Sequence, residues 1–259
     1  MMELGEYLQE KTLCTKIAAY QAMLPSALKV KDKKNNYTKY ITYIELNATK
    51  EQIEEYINNN SRKKNNIEIL TNLLNTKKEL KNKYTSTNIK QLTEANLIKE
   101  TQEQVYRLNK EKKEIEHFTL SEQQENAINQ VDLNTNKTYL LHGVTGSGKT
   151  EVYMRLIEKT IKNNKTAIML VPEISLTTQI VNRFYDRFGP EVAIFHSALS
   201  DGERFDEYLK ILRNEVKIVV GTRSAIFTPL NNLGLIILDE EHSENYKQDS
   251  NPRYHATDM

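Results

Sequence analysis

The sequence predicts an α/β protein in which a doubly wound parallel sheet is preceded by a small, mainly helical domain. Three observations carry this. Five short apolar runs follow Phe118, namely Thr138–Leu141, Ala167–Val171, Val192–Phe195, Lys217–Val220 and Leu235–Asp239. Each is rich in Val, Ile and Leu and bounded by polar turns, as strands buried on both faces are. Stretches of helical periodicity fill the gaps, notably Lys149–Asn163 and Thr177–Phe188, and such alternation builds a parallel sheet with helices on both sides. Before Phe118 the rhythm is different, with helical spacing from Thr49 to Arg107.

Taken in order, Leu4, Tyr7, Leu8, Leu13, Ile17, Tyr20 and Leu24 fall at helical spacing and predict one amphipathic helix over 3–24, stopped by Pro25. No element precedes it, so it docks on the rest of the chain or follows a segment lost by truncation. Lys29–Asn36 (KVKDKKNN) reads as a loop, and the β-branched and aromatic residues of Tyr37–Leu46 predict a strand. Ile53, Tyr56 and Ile57, then Ile67, Leu70, Leu73 and Leu74, then Ile89, Leu92 and Ala95 predict three or four short helices. The stretch after Leu97–Ile98 predicts two short strands around Thr101–Gln104. Helices followed by a small hairpin describe a winged helix, with Ser86–Ala95 in the place of the recognition helix. A helical connector without groove contact, or a protein-docking module, fits the same pattern. The expected layout is a helical linker at 1–36, a winged-helix DNA-binding domain at 37–117 and the α/β domain at 118–259.

Composition narrows the class. With 38% hydrophobic and 27% charged residues the chain reads as an ordinary soluble protein. The single cysteine, Cys14, excludes an internal disulfide framework and any multi-cysteine zinc site, and suits a reducing cytoplasm. No apolar run approaches the ~20 residues that span a bilayer, and the acidic start MMELGEYLQEK is unlike a signal peptide. Up to His117 there are 21 basic against 16 acidic residues, and beyond it 15 against 19. The first part therefore suits a polyanion, although a solvated Lys/Asn-rich surface explains the surplus equally well.

The motif with the most specific chemistry is GVTGSGKT, formed by Gly143, Val144, Thr145, Gly146, Ser147, Gly148, Lys149 and Thr150. It matches the phosphate-binding loop pattern between a predicted strand and a predicted helix, and holds three of the chain's eight glycines. Inward-pointing backbone N–H groups cradle phosphate oxygens, and Gly146 and Gly148 allow the close approach. The helix N-terminus adds its positive end, Lys149 a charge for the β- and γ-phosphates, and the Thr150 hydroxyl a ligand for Mg²⁺. The expected cofactors are thus ATP and Mg²⁺. LIILDEEH, Leu235–His242, supplies the acidic partner: Asp239 at the carboxyl end of a strand to hold the metal's water shell, and Glu240 to position the attacking water. His242 is placed to couple this site to a moving part. VPEISLTTQ and GTRSAIF each begin at a strand's carboxyl end. Pro172, Glu173, Thr177, Gln179, Thr222, Arg223 and Ser224 there form an inventory for gripping a nucleic-acid backbone, one that generic loops share. In LSEQQ, the Gln124 amide has the donor and acceptor that an adenine edge requires.

Taken together, LSEQQ, GVTGSGKTEVY, LVPEISLTTQ, FHSALSDGER, GTRSAIF and LDEEHSENYKQ…PRYHATD resemble the primosomal protein N′ family of superfamily 2 replication-restart helicases, over the whole of Phe118–Met259. Upstream, LCTKIAAYQAMLPSALK is similar to the segment that follows the 3′-DNA-end-binding domain of that family, and 37–108 falls where it has a winged helix. The resemblance implies a RecA-like first helicase lobe and an ATP-driven 3′→5′ DNA helicase that acts at stalled forks and reloads the replicative helicase. It implies adenine contact by Gln124, the phosphate-loop roles of Lys149 and Thr150, the metal and water roles of Asp239 and Glu240, and a place for His242 in the same motif. It further implies single-strand contact by Tyr246, Lys247, Gln248, Arg253 and Tyr254, with bases stacking on the tyrosines. Thr257 stands where the family usually has arginine, which removes a charge from that loop.

The resemblance implies DNA, primosome proteins and single-stranded DNA-binding protein as partners, and a monomer in the cytoplasm without a membrane role. The family's DNA-end domain, cysteine-rich zinc module and second motor lobe are not matched here, so zinc is expected of the family and not of these residues. The chain alone is expected to bind ATP-Mg²⁺ weakly and not to unwind DNA. Two other readings stand beside this: a nucleotide-responsive module that binds DNA or a partner, and a different superfamily 2 DNA translocase.

Overall fold

A computed structural model describes residues 1–25, 28–29, 37–108, 110–113 and 119–259. From position 30 onward the predicted loop at Lys29–Asn36 lies outside the described residues, as does the boundary at 117/118. The chain divides into two compact units, one formed by residues 1–37 and 106–259 and the other by residues 38–105.

The smaller unit has the order β1 (Lys39–Leu46), α3 (Lys50–Asn59), α4 (Lys64–Thr76), β2 (Lys78–Leu80), α5 (Ser86–Glu94) and β3 (Ile98–Val105). Ile44, Ile53, Ile69, Leu70, Leu73, Ile89, Leu92 and Ile98 form its own core. The hairpin expected around Thr101–Gln104 is not there: β3 is one eight-residue strand, antiparallel to β1 from Leu46↔Ile98 to Lys39↔Val105. The reason is legible in IKETQEQV, which has no glycine, proline or asparagine to turn on, while β1 offers a partner along its full length. The sheet is therefore β2-β1-β3, closed by a strand from ahead of the helices. Several lysines of this unit sit on carboxylates: Lys78 on Glu103, Lys81 on Glu100 and Lys83 on Glu79.

In the larger unit, the predicted opening helix is two helices, α1 (Met2–Thr12) and α2 (Lys16–Met23). Leu13 turns left-handed at φ 52°, and the Thr15 hydroxyl accepts from the Ala18 N–H to start α2, a side-chain cap that ends the first helix by beginning the second. These helices are more than a linker, because Leu8, Ala19 and Met23 are buried in the core of the sheet unit. Then come α6 (Glu122–Gln130), α7 (Lys149–Lys162), β4 (Thr166–Leu170), α8 (Thr178–Phe188), β5 (Val192–Phe195), α9 (Asp201–Leu212), β6 (Ile218–Gly221) and β7 (Leu233–Leu238).

The four strands form a sheet in the order β5-β6-β4-β7, every pairing parallel. Strand alternation divides the core. Ala167, Met169, Val171, Val192, Ile194, Ile218 and Val220 face α7 and α8, meeting Tyr153, Met154, Ile157, Phe184 and Phe188. Ile168, Leu170, Ala193, Phe195 and Val219 face the other way, against Tyr208 and Ile211 of α9 and the side chains of α1 and α2. Helices cover both faces, so the predicted doubly wound architecture is present. One predicted strand is not. Positions 138–141 carry no ladder, and Leu140 is 77% exposed. β7 ends the sheet, and the segment meets it only through packing, with Leu141 and Leu235 both against Ile128, Val152 and Leu156.

Candidate nucleotide site and its acidic corner

The glycine loop turns on two residues with positive φ, Gly146 and Gly148, both at 82°. At Gly148 the positive φ favours glycine, and a Cβ there would also displace the Gln124 side-chain amide. Gly148 precedes α7 without a side-chain cap, which leaves the first N–H groups of that helix as an electropositive end. Lys149 folds back over the loop, its Nζ donating to the Gly143 carbonyl at 2.7 Å and the Val144 carbonyl at 3.2 Å. Gln124 is held from both ends. Its Oε1 accepts from the Ser121 N–H at 2.9 Å in a capping box that starts α6, and its Nε2 donates to the Ser147 carbonyl at 3.2 Å. The glutamine thus touches the phosphate loop itself.

The acidic motif reaches the same place along the sheet. The Asp239 N–H donates to the Leu170 carbonyl at 2.9 Å, carrying the β4–β7 ladder one residue further. Its carboxylate accepts from the Tyr153 hydroxyl at 3.1 Å, and Tyr153 lies on α7 one turn beyond Thr150. The Tyr246 hydroxyl meets the Asp239 and Leu170 carbonyls at 2.6 and 3.0 Å, so the strand end is fixed on two sides. Burial, reinforced by the Asp239 charge, pushes the pKa values of both tyrosines up, and both stay protonated donors.

Glu240, Glu241 and His242 are exposed, with His242 Nδ1 3.6 Å from the Glu241 carboxylate. Glu240 is left-handed at φ 48°, an unfavourable conformation for a side chain with a Cβ. Glu240→Gly is accordingly expected to leave stability unchanged or raise it by up to about 1 kcal/mol, read from the urea midpoint. A loss above that would show the glutamate side chain to be holding the turn.

Among the described residues no group of three His, Cys, Asp or Glu side chains stands ready to hold a metal. A lone hydroxyl and a lone carboxylate nevertheless suit magnesium, which keeps most of its octahedral shell for phosphate oxygens and water. Thr150, one turn before Tyr153 on α7, and Asp239, which accepts from Tyr153, are the hydroxyl and carboxylate that would make such a donor set.

The residues expected on DNA divide sharply. β4 and β6 are adjacent and parallel, so the loops after them share one sheet edge. Glu173, Gln179, Ser224, Lys247 and Arg253 are exposed there or in the segment after Asp239. Glu173 accepts from the Ser197 hydroxyl, and Arg253 Nε donates to the Asp249 carbonyl at 3.0 Å. Pro172 is buried, Thr177 caps α8 by accepting from the Ile180 N–H at 3.4 Å, and the Thr222 carbonyl starts a short 3₁₀ turn. Arg223 is turned inward, donating to the Lys247 carbonyl and lying 5.8 Å from the Tyr254 ring centre. Gln248 is half-buried, its side chain donating to the Pro252 carbonyl. Thr257 is exposed beside His255.

Base stacking on Tyr246 and Tyr254 does not fit this arrangement, because the two rings are 0% and 3% exposed and belong to the core beneath the sheet. The aromatic loop is folded inward, with Tyr254 edge-on to Phe227 at 4.9 Å. Sequence reasoning missed Tyr153 and Arg187. The position of Tyr153 at the third and fourth residue after Thr150 and Lys149 was an available signal, while Arg187 offered none.

A glycine loop ahead of a helix, tied through Tyr153 to an acidic strand end of a parallel sheet, is the arrangement expected of the α/β domains that helicases share. The DEAD/DEAH box helicase family matches residues 121–257, more than half of the chain, and the chain belongs to that family. Curated relatives narrow the likeness further. Over an alignment of 331 positions the chain is 38% identical to replication restart protein PriA of Bacillus subtilis (strain 168), taking in 100% of this chain and 41% of that protein. With PriA of Synechocystis sp. the identity is 56% over 118 residues, 45% of this chain and 14% of that protein. For PriA of Haemophilus influenzae the figures are 48% over 143 residues, 55% and 20%. The chain thus spans less than half the length of these relatives, and the family read from its motifs is the one they represent. Among solved structures, the UvsW helicase of bacteriophage T4 aligns with a TM-score of 0.39 and 21% identity, over 53% of this chain and 48% of that one.

Proposed function

We propose that this chain is the ATP-binding lobe, with an attached winged-helix-type accessory domain, of a 3′→5′ DNA helicase that acts in replication restart. The observation that carries the reading is the Tyr153–Asp239 hydrogen bond, which fastens the helix behind the phosphate loop to the acidic strand end. In this reading Lys149 neutralises the β- and γ-phosphates, Thr150 and Asp239 hold magnesium, and Glu240 positions the attacking water. Magnesium supplies charge neutralisation at the phosphates when bound. Gln124, already on the loop backbone, is placed to report adenine occupancy to it, and His242 to relay the state of the site. Glu173, Gln179, Ser224, Lys247 and Arg253 are the exposed groups best placed for a DNA backbone. The same reading assigns DNA, primosome proteins and single-stranded DNA-binding protein as partners, and a monomer working in the cytoplasm. Among the described residues no helix is long and apolar enough to cross a membrane.

One sheet of this type is present among the described residues, and an arginine finger from a second lobe typically adds 10³–10⁵ in rate. The 259-residue chain is therefore expected to bind ATP-Mg²⁺ without unwinding DNA. The test is steady-state hydrolysis with and without forked DNA, alongside a strand-separation assay. DNA-stimulated turnover at ordinary enzyme rates of about 1 s⁻¹ or more would contradict this division of labour.

A further inference from the structure

We propose that Tyr153 is a positioning residue for magnesium: its hydroxyl fixes the rotamer of Asp239 and presents one chosen carboxylate oxygen to the metal's shell. The inference rests on the nucleotide-site reading above and deepens it. Lys149, Thr150 and Tyr153 stand at i, i+1 and i+4 of α7, so the third and fourth residues beyond the phosphate lysine and the metal hydroxyl return to the same face. One helix face thus carries the phosphate charge, the metal hydroxyl and a donor to the metal carboxylate.

The contact is a single directed bond. Tyr153 Oη donates to Asp239 Oδ1 at 3.1 Å, and no other hydrogen bond reaches that carboxylate among the described residues. An aspartate with both oxygens free has several rotamers open to it, and a carboxylate has two oxygens able to accept. With Oδ1 already accepting one hydrogen bond, Oδ2 keeps both of its lone-pair directions and would be the freer oxygen for magnesium-bound water. The ring is held in place, Tyr153 being 7% exposed and part of the core cluster that includes Met154, Ile157, Val171 and Ile237. Backbone bonds hold the other side of the same residue, through the Asp239 N–H on Leu170 and the Tyr246 hydroxyl on the Asp239 carbonyl. Only the side-chain torsion of Asp239 is left for Tyr153 to set.

The test uses the 259-residue chain and reads nucleotide binding rather than turnover. ATP is titrated by calorimetry in EDTA and over a series of Mg²⁺ concentrations, for the natural chain and for Tyr153→Phe, which keeps the ring and loses the hydroxyl. The expected result is a rise of about tenfold in the Mg²⁺ needed for half-maximal tightening, the scale of one hydrogen bond to a charged group, with affinity in EDTA unchanged within about twofold. Tyr153→Met, which fills the space without a ring, is expected to give the same Mg²⁺ shift. Equal Mg²⁺ dependence in the natural chain and Tyr153→Phe overturns the inference and leaves the nucleotide site standing. So does an equal loss with and without Mg²⁺, which would mark the hydroxyl as packing only. A natural chain whose ATP binding does not respond to Mg²⁺ overturns the functional reading itself.

Discussion

Replacing Lys149 by alanine is expected to weaken ATP-Mg²⁺ binding by at least about a hundredfold, because it removes charge-assisted bonds to two phosphate groups, each worth about 1.5–3 kcal/mol. The structure makes this a clean experiment. Lys149 Nζ rests on the Gly143 and Val144 carbonyls, and the loop around it is largely exposed, so water can satisfy those carbonyls when the ammonium is gone. Stability should therefore change by less than about 1 kcal/mol while binding collapses. Calorimetric titration paired with urea unfolding separates the two effects. Comparable affinity for both chains would mean that ATP is held elsewhere. Affinity for forked DNA, measured on the same variant, asks a second question: if it is unchanged, DNA contact and the nucleotide site are independent modules.

The largest expected effect on stability is at Arg187, at the end of α8. The residue is 8% exposed. Nη1 lies 2.8 and 2.7 Å from the two Glu151 oxygens, and Nε lies 2.8 Å from Glu158. Both glutamates belong to α7, and Arg155 shares them at 3.0 and 3.6 Å. Removing one partner from a buried charge network typically costs about 3–5 kcal/mol, because the remaining charge keeps its burial and loses its compensation. Arg155 remains beside both carboxylates, so Arg187→Ala is expected near the lower end, about 3 kcal/mol, in the midpoint of urea unfolding. A loss below about 1 kcal/mol would show that Arg155 and solvent carry the pair unaided.

What was readable in advance follows from the range of the interactions. Buried parallel strands announce themselves by composition, and β4, β5, β6 and β7 fall within two residues of the runs that predicted them. Capping residues are equally local: Ser121, Thr177 and Ser200 start α6, α8 and α9 as hydroxyl residues should. The glycine turn and the acidic strand end are legible as local patterns, one from its closely spaced glycines ahead of a helix and the other from its apolar run ending in Asp239. The errors arose where a distant partner decides. The apolar run at 138–141 is composed like a strand, yet a ladder requires a neighbour, and β7 meets it only by side-chain packing. KETQEQVYRL looked like a hairpin until β1, more than fifty residues upstream, took it as one strand. Base stacking on Tyr246 and Tyr254 is an expectation of the family resemblance alone, and nothing local in the sequence tells a buried tyrosine from an exposed one. The pockets that bury them are lined by Phe227 and Leu170, which lie far away along the chain. The Arg187–Glu151 pair spans 36 positions and has no local signature.

The central claim is that the loop at 143–150 and the corner at Asp239 form one magnesium-dependent nucleotide site. Calorimetric titration of ATP into the 259-residue chain, with Mg²⁺ and then with EDTA, tests it most directly. The account predicts saturable binding to one site that tightens with Mg²⁺. Absence of binding at millimolar ATP, or binding indifferent to Mg²⁺, would contradict it.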